Sequence, residues 1–186
     1  KKHNEALLLR EIYARPSVSR VQLARLTKLS KPSVTELTQG LIEKGLICEM
    51  GPEYVQDKVG KKPTLLALNS DAYQMVCVVI HNTSIVVSLL NLRVQVLEME
   101  HVPLNGLTGQ PLVELLADVL RRIIQKATRP ILGISVGTPG IIDSINGIVH
   151  LTANFGWQNL PLGQILTDQF HLPVYIGNDS NFAAIG

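Results

Sequence analysis

The sequence predicts a mixed α+β and α/β chain of two domains, the first over residues 1–69 and the second over residues 70–186. Residues 1–69 carry 12 Lys and Arg against 7 Asp and Glu, a net charge of +5, whereas residues 70–186 carry 5 against 8, a net charge of −3. Three helical segments and a hairpin come first; three strands, a helix and further strands follow. The charge asymmetry indicates a nucleic-acid module joined to a different kind of domain, and chance variation of surface charge is the alternative.

Two helical segments open the first domain. Residues 3–14 form the first, and its apolar face is predicted to contain Ala6, Leu9 and Tyr13, with Ile12 beside them. Ser19 is an N-cap for a short second helix, with Gln22 three residues later completing a capping box, in which each side chain satisfies the other residue's backbone amide.

The third helix has signals at both ends. Ser30 is a second N-cap, and Pro32 suits the first turn because the amide hydrogens there lack helical partners. Gly45 suits the end of the helix, where a left-handed residue is common. The face predicted to pack inward contains Val34, Leu37 and Leu41.

A hairpin completes the first domain. Residues 46–50 and 64–68 read as strands, and the polar stretch between them contains turn-forming glycines and a proline. Helix, short capped helix, capped helix and hairpin is the order of a winged helix-turn-helix.

In a helix-turn-helix the second helix of the motif enters the major groove of DNA, so the third helix here is the predicted reading element. Its exposed side chains can bond to bases or phosphates, and the wing-tip lysines suit phosphates or the minor groove. An arginine on the preceding helix suits the DNA backbone. The alternative is an ordinary three-helix unit with a solvated face, or one used for protein contacts. The candidate DNA-binding residues are Arg20, Lys31, Ser33, Thr35, Gln39, Lys61 and Lys62.

The second domain starts with three strands predicted at residues 75–80, 84–90 and 95–103, an antiparallel meander. An amphipathic helix follows, and residues 131–136 form a continuous apolar run typical of a buried parallel strand. This order matches one lobe of the ribonuclease-H-like fold that actin and the sugar kinases share. The helix is predicted from Leu112, Leu115, Leu116, Val119 and Ile123; further elements are expected at 147–151, 161–170 and 173–176.

Polar residues follow several of these strands. The stretch 133–140 is rich in glycine and suits a ligand's approach, or is a plain turn. Asn154 near Trp157 suits a sugar hydroxyl, or the pair plugs a loop. Asp179 follows a buried strand, where ligands of α/β proteins bind, and is otherwise an N-cap. The candidate sugar-binding residues are Thr138, Asn154, Asn178 and Asp179.

These motifs together resemble the ROK family (repressors, open reading frames and kinases). The motifs are Gly137-Thr-Pro-Gly140, Asn154 with Gly156-Trp157, Leu160-Pro-Leu162, and Asn178-Asp179-x-Asn181 before Ala183-Ala184. The winged module with Gly60-Lys-Lys-Pro63 resembles the repressor branch, such as the N-acetylglucosamine and xylose repressors. The resemblance implies that Asn154, Asn178 and Asp179 contact sugar hydroxyls, and that Asp179 occupies the position of the catalytic base of the kinases.

The family's phosphate loop, Asp-x-Gly-Gly-Thr, would fall on residues 79–83, where only Thr83 matches. Val79 replaces the acidic residue, and His81 and Asn82 replace both glycines. Backbone approach to a phosphate needs glycine, and a metal–nucleotide complex needs an oxygen ligand that valine lacks. We therefore expect no catalytic residue and no kinase activity. For His81 we expect a packed structural role, with a role as a ligand or switch as the alternative.

The resulting expectation is a sugar-responsive transcription regulator of carbohydrate metabolism, a repressor. It is expected to form a homodimer or higher homo-oligomer and to bind operator DNA and a monosaccharide or sugar derivative. Two alternatives stay open: a sugar kinase with a fused DNA-binding head, and a regulator controlled by a partner protein.

The sequence has two cysteines far apart from each other, and it shows no signal peptide or membrane span. These features favour a cytoplasmic protein with no membrane partner. Neither cysteine belongs to a metal-ligand cluster, so we expect no metal site and no cofactor in these 186 residues. The chain reads as the N-terminal portion of a longer protein. The resemblance implies a cysteine-rich zinc motif, and further sugar-contacting residues, beyond residue 186.

Overall fold

The computed structural model describes residues 2–52 and 63–178. The chain divides into two compact units, Lys1–Ala72 and Tyr73–Gly186, with the division three residues after the boundary expected at residue 69. The elements of the first unit are α1 (Lys2–Tyr13), β1 (Val18–Ser19), α2 (Arg20–Thr27), α3 (Lys31–Glu43), β2 (Ile47–Pro52) and β3 (Thr64–Leu68). Those of the second are β4 (Gln74–Ile80), β5 (Ser84–Asn91), β6 (Val96–Pro103), α4 (Gly109–Gln125), β7 (Ile131–Thr138), β8 (Ile141–Asp143), β9 (Ile148–Leu151), β10 (Gln158–Leu160), α5 (Leu162–Phe170) and β11 (Val174–Asn178).

The predicted helix caps are present in the first unit. Ser19 and Gln22 form the reciprocal capping box at the start of α2, and the Ser30 side chain accepts a hydrogen bond from the Ser33 amide at the start of α3. Gly45 adopts φ +70° after α3, and its amide donates to the Ile42 carbonyl at 2.8 Å. The Leu46 amide donates to the Leu41 carbonyl at 3.0 Å, so α3 ends in a Schellman motif.

The core of the first unit forms where α1 packs against α2, α3 and β3. The inward face predicted for α3 is confirmed, since its three residues are buried. The face predicted for α1 is wrong in part: Ala6 and Tyr13 are exposed, whereas Ile12 is buried beside that face as expected, together with Leu8. Three consecutive leucines at positions 7–9 make the helical pattern ambiguous, and packing selects the face that holds the middle one.

A three-stranded antiparallel sheet of order β1-β3-β2 closes the first unit. The β2–β3 hairpin is the predicted wing, and the unit is the winged helix-turn-helix that the sequence predicts. Strand β1 was not predicted: Val18 pairs with Leu66 and Ser19 with Leu65. Two residues are too few for a periodic pattern, and only the pairing reveals this strand.

The second unit is built on a five-stranded sheet of order β11-β7-β4-β5-β6. Strands β4, β5 and β6 form the predicted antiparallel meander, while β7 runs parallel to β4 and β11 parallel to β7. Helix α4 connects β6 to β7 and buries its apolar side against the sheet's core. The main-chain order and the parallel strands agree with the predicted lobe.

A smaller antiparallel sheet of order β10-β9-β8 lies beyond β7. Strands β8 and β10 have three residues each and were not predicted. Gly147 and Gly163 join this sheet to α5, because the Gly163 amide donates to the Gly147 carbonyl at 2.9 Å. A Cβ on Gly163 would lie 3.0 Å from the Gly147 Cα, so a side chain there would push the two backbones apart by a few tenths of an ångström.

Candidate functional site

The third helix exposes a polar stripe opposite its buried side. Lys31, Thr35 and Gln39 are exposed and follow one another at a spacing of four residues, which places them on one side of α3. Ser33 lies at the flank and is half-buried. The structure therefore brings together the residues that the sequence predicts for base contacts.

Local hydrogen bonds hold these side chains against the helix. The Thr35 hydroxyl donates to the Lys31 carbonyl at 3.0 Å, and Gln39 Nε2 donates to Glu43 Oε1 at 3.1 Å. The Ser33 hydroxyl lies 2.8 Å from the Ser30 hydroxyl. Hydrogen bonds of this exposed kind contribute little net free energy, so the groups can exchange them for bonds to a bound partner at low cost.

Arg20 has a different environment from the residues on α3. Its Nε donates to Thr38 Oγ1 at 3.1 Å, and its Nη2 lies 2.8 Å from Glu49 Oε1. These contacts brace α2 against α3 and β2, and the side chain is 26% exposed. A contact between Arg20 and DNA stays a prediction. The other two predicted contacts, Lys61 and Lys62, lie outside the described residues.

The second cluster of predicted residues lies at one edge of the five-stranded sheet. Strands β4, β7 and β11 are parallel, so their carboxyl ends share that edge. Thr138 and Asn178 pair directly in register, with Thr138 buried and Asn178 half-buried. Asn178 Nδ2 donates to the Gly140 carbonyl at 3.1 Å, which joins the two strand ends. Asp179 lies outside the described residues.

Gly140 is required by the packing of this edge. It adopts φ +122°, and a Cβ there would lie 2.3 Å from the Leu151 carbonyl oxygen. The turn after β7 is therefore pressed against the end of β9. This packing explains the glycine in structural terms, beside any role in a ligand's approach.

The Trp157 side chain fills the interior of the loop between β9 and β10. Its side chain is 3% exposed, its Nε1 donates to the Gly109 carbonyl at 3.0 Å, and its ring meets Phe155 edge-on at 5.3 Å between centroids. The Gly109 amide donates in turn to the Phe155 carbonyl at 2.7 Å. These contacts fix the loop to the start of α4 and leave Asn154, which is exposed, as the loop's candidate for binding.

Asn154 has a partner that the sequence did not predict. Its Nδ2 donates to Asn82 Oδ1 at 3.0 Å, across 72 positions of the chain. Asn82 follows the end of β4, and Val79 of β4 pairs with Gly137 of β7, so this contact brings Asn154 to the same sheet edge as Thr138. No sequence pattern links two asparagines at such a separation.

The exposure of the turn at residues 81–83 contradicts the prediction made for His81. His81 is exposed, so the packed role expected for its side chain is wrong. Its amide donates to the Ser84 carbonyl at 2.8 Å, which makes a tight turn whose side chains face solvent. Val79 is half-buried in the sheet and presents only hydrocarbon.

Within residues 2–52 and 63–178 the longest helix is α4, with 17 residues, and none of the helices described there is a candidate membrane span. No group of three or more His, Cys, Asp and Glu residues in the same ranges could hold a metal ion. The zinc that the resemblance implies stays a prediction about residues beyond 186.

The geometry defines a class: a chain that joins a winged helix-turn-helix to a sugar-kinase-like α/β unit with polar residues at its carboxyl edge. The chain belongs to the ROK family, whose model matches residues 75–186, more than half of its length. Residues 2–49 match a model of the MarR family.

Named relatives agree with this assignment. A xylose repressor of Caldicellulosiruptor bescii is 35% identical over the whole of this chain and 47% of its own length. An N-acetylglucosamine repressor of Escherichia coli O6:H1 is 28% identical over the whole chain and 46% of its own. The chain thus spans about half the length of the curated relatives it matches.

A solved structure shares the fold of both units. The crystal structure of a ROK family transcriptional regulator, described as a homolog of the E. coli MLC protein, superimposes with a TM-score of 0.83. The match covers 98% of this chain and 46% of that one, at 23% sequence identity. It confirms the winged helix-turn-helix followed by a sugar-kinase-like unit.

Proposed function

We propose that this chain contains the DNA-binding unit and part of the effector unit of a sugar-responsive transcription repressor. The proposal rests on one observation: the same chain has an exposed polar stripe on the capped helix α3 and a polar sheet edge of the sugar-kinase type. Its relatives named xylose repressor and N-acetylglucosamine repressor support it.

On the DNA side, α3 lies in the major groove. Thr35 and Gln39 bond to base edges, and Lys31 reaches a guanine or a phosphate. Arg20, Ser33 and the wing lysines Lys61 and Lys62 complete the contact. A homodimer places two copies of α3 in successive major grooves about 34 Å apart, the geometry that a helix-turn-helix dimer requires.

On the effector side, a monosaccharide or sugar derivative binds at the carboxyl edge of the second unit. Thr138, Asn154, Asn178 and Asp179 bond to its hydroxyl groups, and residues beyond 186 complete the pocket. Binding releases the operator only if the sugar has different affinities for the DNA-competent and DNA-incompetent arrangements.

We propose that the carboxyl edge of this sheet does not catalyse phosphoryl transfer. That reaction depends almost wholly on positioning the nucleotide's phosphates and metal. Val79 supplies no oxygen to a metal, and His81 and Asn82 carry side chains where backbone would approach a phosphate. We therefore propose a regulator without kinase activity, which an assay of sugar-dependent ATP hydrolysis by full-length protein tests.

We also place the protein in the cytoplasm, where operator DNA is found. Cys48 and Cys77 are free thiols, which suits a reducing compartment. Burial raises the pKa of the Cys77 thiol, which therefore stays protonated and unreactive at neutral pH.

The test of the main proposal is the affinity of full-length protein for DNA upstream of its own gene, with and without a panel of monosaccharides. Salt is held fixed, because phosphate contacts alone change affinity by orders of magnitude. A change of about tenfold with one sugar, about 1.4 kcal/mol of coupling, supports the proposal and identifies the effector. Specific DNA binding that no sugar alters contradicts control by a free sugar, and absence of specific DNA binding contradicts the proposal as a whole.

A further inference from the structure

The turn between β4 and β5 holds Asn82 on a fixed backbone. The His81 amide bonds to the Ser84 carbonyl at 2.8 Å, which leaves Asn82 and Thr83 at the corner. The Leu104 amide donates to the Thr83 carbonyl at 2.8 Å and anchors the corner to the chain after β6. Asn82 therefore extends its exposed side chain from a position with little backbone freedom.

The loop that carries Asn154 is equally well held. The Thr152 amide donates to the Trp157 carbonyl at 3.2 Å, and the Trp157 amide donates to the Thr152 hydroxyl at 3.2 Å. Trp157 itself is buried against Gly109. The bond from Asn154 Nδ2 to Asn82 Oδ1 at 3.0 Å thus joins two side chains whose backbones are fixed independently.

In the structure this bond turns the nitrogen of the Asn154 amide toward Asn82. A primary amide presents two N–H donors on one side and a carbonyl oxygen on the other, and here the Asn82 side chain meets the nitrogen of Asn154 with its own oxygen. The bond to Asn82 uses one N–H. The second N–H and the carbonyl oxygen are the donor and acceptor that a sugar hydroxyl needs.

We propose that Asn82 is a positioning residue of the effector site: its side-chain oxygen orients the Asn154 amide for a sugar hydroxyl. This inference rests on the proposed function. It also gives a role to a residue that stands where the family's phosphate loop has glycine. Glycine has no side chain to orient Asn154, so one substitution both removes a phosphate contact and adds support to the sugar contact.

The physical effect is expected in the complex with sugar rather than in the free protein. An exposed hydrogen bond competes with water, so its loss has little effect on folding. A bound sugar excludes water from Asn154, and an amide in the wrong orientation then leaves a hydroxyl group poorly paired. Loss of the Asn82 oxygen should therefore lower sugar affinity and leave the fold and DNA affinity unchanged.

The test uses full-length protein, operator DNA, and D-xylose and N-acetyl-D-glucosamine as probes, the sugars in the relatives' names. For the sugar that releases DNA from the wild type, Asn82→Ala should raise the concentration for half-release by about tenfold. Asn82→Asp keeps the acceptor oxygen and should restore the response to within about threefold of wild type. The matched control, Thr83→Ala at the same turn corner, should respond as the wild type does.

A double variant separates positioning from a general structural role. In an Asn154→Ala background the amide to be oriented is gone, so adding Asn82→Ala should cause no further loss of sugar binding measured by calorimetry. An additional loss equal to that in the wild-type background overturns the inference. So does an Asn82→Ala protein that responds at the wild-type sugar concentration, and in that case the proposed function stands. A wild type that responds to neither probe nor to the wider monosaccharide panel overturns both.

Discussion

Arg20 and Thr38 form the central polar contact of the first unit. Nε of Arg20 donates to Thr38 Oγ1 at 3.1 Å, and the fully buried Thr38 hydroxyl donates to the Val34 carbonyl at 2.8 Å. The arginine also pairs with Glu49 on β2 at 2.8 Å. One side chain thus links α2, α3 and β2 and holds α3 in place.

Arg20→Ala should therefore destabilise the first unit. The Thr38 hydroxyl loses its charged donor, which costs about 1–2 kcal/mol, while the half-exposed pair with Glu49 adds little because water screens it. Denaturant unfolding of the full chain measures the change. The matched control is Arg25→Ala on the same helix, whose exposed side chain should change stability by less than about 0.5 kcal/mol. Equal losses for the two variants would show that Arg20 is not a brace.

The caps show why much of the first unit could be predicted. Ser19 with Gln22, and Ser30, act on amides within three residues, so the local sequence contains both partners of each bond. The face of α1 could not be read in the same way, because Leu8 is selected over its apolar neighbours by the helices and strand that pack on it.

Contacts that are distant in sequence explain the rest. Strand β1 exists because Val18 pairs with Leu66, and a stretch of two residues is too short for a sequence pattern to predict it. The polar residues of the sheet edge were predicted from their positions after strands, but the bond between Asn82 and Asn154 depends on how two loops meet. A pairing of this kind becomes visible only when the fold is known.

Gly140 and Gly106 provide a matched pair for backbone strain. Both have positive φ, +122° and +78°, but a Cβ at Gly140 meets the Leu151 carbonyl at 2.3 Å, whereas a Cβ at Gly106 meets nothing within 4 Å. Gly106→Ala should cost only the left-handed penalty of about 1–2 kcal/mol. Gly140→Ala adds a steric clash and should cost about 3–4 kcal/mol. Thermal unfolding of the two variants measures the difference, and similar melting temperatures would contradict the packing described for the β7–β8 turn.

Val94 is a strained residue at the turn between β5 and β6. It is β-branched, yet it adopts φ +60° and is 54% exposed. Val94→Asn should stabilise the second unit by about 0.5–1 kcal/mol, since asparagine tolerates the left-handed region and little apolar contact is lost. Val96→Asn is the control: Val96 is also 54% exposed but lies in a strand, where asparagine is disfavoured, so this change should not stabilise. Chemical denaturation distinguishes the two, and a gain for both or for neither would argue against backbone strain at Val94.

Lys31 and Lys44 occupy opposite ends of the reading helix and differ in their expected contribution to DNA binding. Lys31 lies in the first turn of α3 on the exposed stripe, while Lys44 follows the helix and pairs with Glu5 of α1 at 3.1 Å. If Lys31 contacts a phosphate, Lys31→Ala should weaken operator binding at all sequences and reduce the slope of log affinity against log salt by about one. Lys44→Ala should leave the slope unchanged. Titrations of full-length protein at several salt concentrations measure both slopes. If only Lys44→Ala reduced the slope, the DNA would lie at the other end of α3. If Lys31→Ala lowered affinity for one base sequence only, Lys31 would contact a guanine rather than a phosphate.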